Sequence, residues 1–129
     1  MLIDLDDLAR RAETLFFNPS RQTGNILEVI LFDDTALVFQ NFLEDDDNAF
    51  GFKSTPWHAH DRLFFASDGG IDHVFDPKEV LSGLRSGELL IASRYLAGEL
   101  KDMWIEHVHP LGGIELREAD EEFRLRRLG

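Results

Sequence analysis

The sequence predicts an α+β fold: a mainly antiparallel sheet of about five to seven strands, with an N-terminal helix and one mid-chain helix packed on it. Three observations carry that expectation. Apolar runs follow one another across short polar breaks, the order of hairpins rather than of regular βαβ alternation. Two segments combine helical spacing with capping chemistry. The 129 residues are too few for a second independent core, so a single domain over 1–129 is expected.

Asp4 is placed to cap the first helix, with Asp7 three residues on as a variant of the capping box. Leu5, Leu8, Ala12, Leu15 and Phe16 recur at helical spacing as one apolar stripe, and Asn18-Pro19 ends it. Ile26 to Phe32 is apolar on both faces apart from Glu28, the pattern of a central strand covered on two sides. After Asp33-Asp34, Ala36 to Phe42 reads as its antiparallel partner. Glu44-Asp45-Asp46-Asp47-Asn48 forms an acidic loop, and Phe50-Gly51-Phe52 resumes the sheet.

Ser54-Thr55-Pro56 interrupts that strand, and Trp57-His58-Ala59-His60-Asp61 has the character of a loop edge or strand start. Leu63-Phe64-Phe65 is a short strand or buried turn, and Asp68-Gly69-Gly70 is a turn. Asp76-Pro77 opens the second helix with a cap residue followed by proline at the first helical position. Val80, Leu81 and Leu84 form its stripe, and Gly87 its C-terminal cap. Glu88 to Leu96 and Leu100 to His109 read as strands around an Ala97-Gly98-Glu99 turn. Met103, Ile105, His107 and His109 share one face of the second. A short final strand is expected at Ile114 to Leu116. From Glu118 to Arg127 the periodicity leaves helix and strand open.

Composition then narrows function. Apolar residues make up 43% of the chain and include eleven Phe and two Trp, enough for a core without covalent staples. The absence of cysteine removes disulfides, thiolate metal ligands and a thiol nucleophile together. The first residues carry neither a basic start nor an apolar run of leader length, and no stretch approaches the roughly 20 apolar residues of a membrane span. A cytoplasmic location is the resulting expectation. With 25 acidic against 13 basic side chains the net charge is −12, which repels phosphate backbones and argues against nucleic acid. The same field attracts a basic protein, although acidity of this degree also serves solubility alone. Arg124, Arg126 and Arg127 form a small basic patch among the acids of the tail.

Four of the five histidines occur as His-x-His pairs, His58 with His60 and His107 with His109. Residues two apart on a strand share a face, so two such strands side by side would offer four nitrogens to zinc, nickel or iron, with Asp61 or Asp72 adding an oxygen. His73 stands alone, as a surface or satisfied core residue. The acidic run fails as a calcium loop of the EF type. Counting from Asp45, Phe50 occupies the sixth position that requires glycine, and Pro56 the twelfth that requires glutamate. The Gly-Gly pairs lack nucleotide-binding spacing, and Ser82 lies inside a helix rather than on a nucleophile elbow.

Two functional expectations follow. The first is a non-enzymatic protein-binding domain, an inhibitor or immunity-like factor for a basic partner. It would bind through Glu44, Asp45, Asp46 and Asp47 with Phe50, Phe52 and Trp57 as aromatic anchors. The second is a metal-binding domain or metal-dependent enzyme built on the two histidine pairs. An open strand edge would also allow a homodimer.

Overall fold

The computed structural model describes residues 1–33, 35–66, 73–108 and 121–128. The expected strand at 114–116, the turn at 68–70, Asp72 and His109 lie outside them. Helix α1 (Leu5–Thr14) begins where the Asp4 carboxylate accepts from the Asp7 backbone N–H at 3.0 Å, and it buries Leu5, Leu8 and Ala12. Its stripe ends sooner than the spacing suggests. Phe16 takes a left-handed φ of 63° and is 90% exposed. Its N–H donates to Glu13 and that of Phe17 to Ala12, closing the helix in a Schellman arrangement that usually has glycine at this position. Phe17, not Phe16, turns inward, with the Arg85 guanidinium 4.2 Å over its ring.

Five strands follow as an antiparallel meander in chain order: β1 (Asn18–Thr23), β2 (Ile26–Phe32), β3 (Thr35–Phe42), β4 (Asp47–Phe52) and β5 (His58–His60). Strand β1 escapes a pattern-based reading because it is polar and contains Pro19. Both are tolerated at a sheet edge, where one row of backbone groups has no ladder to complete. Strands β6 (Leu63–Phe65) and β7 (His73–Phe75) pair with each other. Helix α2 (Pro77–Ser86) starts with a complete capping box between Asp76 and Glu79 and ends at Gly87, φ 86°. Strands β8 (Leu89–Leu96), β9 (Glu99–His107) and β10 (Glu121–Arg126) form a three-stranded sheet with β8 central. Within the tail that periodicity left open, Glu121–Arg126 is thus a strand. The expected α+β architecture with its two helices holds, while the strands divide among three sheets.

Among the described residues the meander buries mainly one face. Leu27, Val29, Leu37, Phe39, Phe50 and Phe52 point toward the helices, with the Phe39 and Phe50 rings stacked at 5.5 Å. On the opposite face Ile26, Glu28, Ile30 and Phe32 of β2 are half-buried, so this strand is not covered on two sides as its apolar run suggested. Val80, Leu81 and Leu84 of α2, Leu89 and Ile91 of β8, and Met103 and Ile105 of β9 complete a single buried cluster. Gly51 has a steric reason. A Cβ there would lie 2.3 Å from the Trp57 carbonyl oxygen, where the chain enters β5 to pair with β4.

Leu8 and Leu81 are both fully buried. Truncating either to alanine is expected to cost about 2–5 kcal/mol, read as a lower denaturant midpoint at unchanged slope. Phe16→Gly is expected to leave stability unchanged or raise it by up to about 1 kcal/mol, because relief of the left-handed strain outweighs the little burial lost.

Candidate functional site

The acidic loop is the turn from β3 into β4. Leu43, Glu44, Asp45 and Asp46 are all exposed there, with Asp46 in the left-handed region at φ 47°. Asp47 opens β4, opposite Phe42. Its carboxylate meets the His60 Nδ1 at 2.8 Å and accepts the Asn48 backbone N–H, contacts that hold its pKa below the ordinary 3.8.

Two asparagines tie the N-terminal residues to this end of the sheet. Asn41 accepts from the Ile3 N–H and donates to the Ile3 carbonyl, both at 2.8 Å. Asn48, only 2% exposed, donates to the Met1 carbonyl and to Asp61 Oδ1, the latter at 3.2 Å. The Met1 nitrogen in turn donates to the Asp46 carbonyl. Sequence reasoning missed both residues. The available signal was asparagine inside strands, where it is normally depleted.

Pinned in this way, Met1 to Ile3 line a groove of about 390 Å³ together with Val74, Asp76, Pro77, Asn48 and Asp61. Val74 pairs across β6–β7 with Phe64, and these two project outward, 41% and 64% exposed. Met1, Leu2 and Leu43 are also exposed. Met1 lies against the acidic turn through its bond to the Asp46 carbonyl, and Leu43 belongs to the turn itself. The two cations of the groove are engaged: Arg62 pairs with Asp61 at 2.9 Å, and Lys78 with Asp7 at 2.7 Å. Those partners hold both carboxyls below 3.8.

The expected aromatic anchors are placed differently. Phe50 and Phe52 lie in the core at 1% and 4% exposure, because alternation along β4 sends them to the covered face of the meander. Trp57 is half-buried, its ring 5.9 Å from that of Phe52. Neither phenylalanine can touch a partner, and the exposed apolar positions nearest the turn are Phe42, Leu43, Met1 and Leu2.

Of the two histidine pairs, His58, His60 and His107 are described, and His109 lies outside the described residues. His58 and His60 sit on β5 at the edge of the meander, rings 5.1 Å apart, with His58 Nδ1 3.2 Å from the Pro56 carbonyl and His60 engaged by Asp47. His107, at the end of β9, is buried, and its ring stacks on His73 at 4.4 Å. His73 is therefore not solitary. Among the described residues, the one group of three potential metal ligands is His73, Glu88 and His107, whose ligand atoms lie within 4.8 Å of one another. Comparison with family models, curated proteins and solved structures finds no match.

Each depressed carboxyl contributes stability that is present above its unfolded value of 3.8 and lost as pH falls through its lower folded value. Stability is accordingly expected to decline between about pH 5 and 2. Asp47→Asn should flatten that decline and converge with the parent protein at the acid end, as read from denaturant midpoints across the range.

Proposed function

We propose that this chain is a non-enzymatic docking domain for a basic protein partner, of the inhibitor or immunity-like kind. One observation carries the reading: an acidic turn, Glu44 to Asp47, is bonded to Met1 of a groove lined by the exposed Met1, Leu2 and Val74, with the exposed Phe64 paired beside Val74. Apolar anchors beside a single-sign charged edge are the composition of an interface in which charge steers the encounter and apolar burial holds the complex. Exposed apolar side chains lining one groove of a small domain point the same way. The chemistry of the partner follows from charge complementarity. It presents arginine or lysine toward the turn and one or two apolar side chains into the groove. A cysteine-free domain suits such a role in a reducing compartment such as the cytoplasm.

The division of labour between charge and burial is measurable by titrating isotope-labelled protein with a peptide of alternating arginine and leucine, and with an oligoarginine of equal charge. The alternating peptide is expected to bind more tightly and to shift the resonances of residues 1–3, 43–47, 61–64 and 74–79. Raising ionic strength from about 50 to about 500 mM should weaken it by about tenfold or more. Asp45→Lys with Asp46→Lys should remove most of the salt dependence, and Phe64→Ser should weaken binding while leaving that dependence in place. Shifts scattered over other acidic surfaces, or affinity indifferent to salt, would refute the reading.

A further inference from the structure

We infer that His73, Glu88 and His107 form a binding site for one first-row divalent transition ion, of which zinc is the test case. The three come from separate elements: β7, the residue that follows the Gly87 cap of α2, and the end of β9. Their backbones are held in place. His73 is fixed opposite Phe65 in the β6–β7 pair, His107 opposite Leu89, and the Glu88 carbonyl accepts the Val108 N–H at 2.9 Å.

The donor set selects the class of ion. Two imidazole nitrogens and one carboxylate oxygen suit zinc, nickel, cobalt or ferrous iron, and do not suit calcium or magnesium, which take oxygen. The surroundings suit it as well. His107 is 4% exposed, with the Phe65 and Phe75 rings at 5.7 and 6.1 Å, which gives the ion a dry wall. Glu88 is exposed and its Oε1 lies 3.5 Å from His107 Nε2, so the open side carries the charged ligand and the route of entry. Three protein ligands leave room for water or a further donor.

Closing the site requires a local movement. Donors bound at 2.0–2.1 Å around a tetrahedral ion are about 3.3 Å apart, closer than the 4.8 Å limit that now contains the group. The two rings, inclined by 20°, have to splay for their in-plane lone pairs to converge. His107 is buried and His73 half-buried at the first residue of its strand, so the adjustment falls on His73 and the exposed Glu88. The site lies on the face of β6–β7 opposite Phe64 and Val74, so it is separate from the docking groove.

The experiment is calorimetric titration of tag-free, chelator-treated protein with zinc chloride, with calcium chloride as a control, and with cobalt chloride to read coordination from its visible spectrum. One equivalent of zinc with micromolar or tighter affinity is expected, and no calcium. His107 is buried, so the decisive variants are at the other two ligands. His73→Ala and Glu88→Gln, each checked for native circular dichroism, should weaken zinc by about tenfold or more. His58→Ala with His60→Ala should leave it unchanged. No zinc uptake, uptake indifferent to both His73→Ala and Glu88→Gln, or uptake lost with the His58 and His60 pair would each overturn the assignment.

Discussion

The inner face of the five-stranded meander carries Leu27, Val29, Leu37, Phe39, Phe50 and Phe52, and this surface has to be removed from water. Two short helices and the β8–β9 hairpin do it. Each contributes a narrow apolar stripe rather than a wide one: Leu5, Leu8 and Ala12 from α1, Val80, Leu81 and Leu84 from α2. Burial of about 25 cal/mol per Å² makes this joint coverage the dominant favourable term of the fold. It also dictates what stays outside. Once alternate residues of β4 are committed to the core, the aromatics flanking Gly51 are unavailable to any partner.

The polar contacts around this core do local work. Arg85 bridges α2 to the end of α1 through the Leu15 carbonyl at 2.7 Å while covering the Phe17 ring. Arg126 of β10 lies 3.6 Å over Phe32 on the meander and so links two sheets through a cation–π contact. Asn41 and Asn48 are different in kind, since they pair with the backbone of Met1 to Ile3 instead of linking packed elements. Their effect is to build the wall of a groove from residues that have no ladder of their own.

The two-stranded β6–β7 sheet serves two surfaces. Alternation sends Phe64 and Val74 outward to the groove and Phe75, Phe65 and His73 inward toward His107. A pair of three-residue strands has little stability of its own, and its inward aromatics anchor it to the core. That anchorage positions both the apolar rim of the acidic surface and the imidazole facing His107.

The sequence by itself determined the α+β class, both helices with their N-terminal caps, the Gly87 cap of α2, the β2–β3 and β8–β9 hairpins and the strongly acidic surface. These are local or additive properties, written in spacing, capping residues and composition. Tertiary structure alone decided the rest. A polar edge strand such as β1 has no periodicity to read, and the side on which a strand's alternate residues are buried depends on which sheet face the helices cover. The outward or inward direction of Phe50 and Phe52 was therefore illegible, as was the single-sided burial of β2. The histidines make the same point: the His-x-His spacing was legible, but a pair on one strand says nothing about its neighbours. His107 sits beside His73 and Glu88 because β9 pairs with β8 and the chain turns at Gly87 to place Glu88 next to the strand end. Contacts between residues so distant in sequence arise only from the register and packing of the elements that carry them.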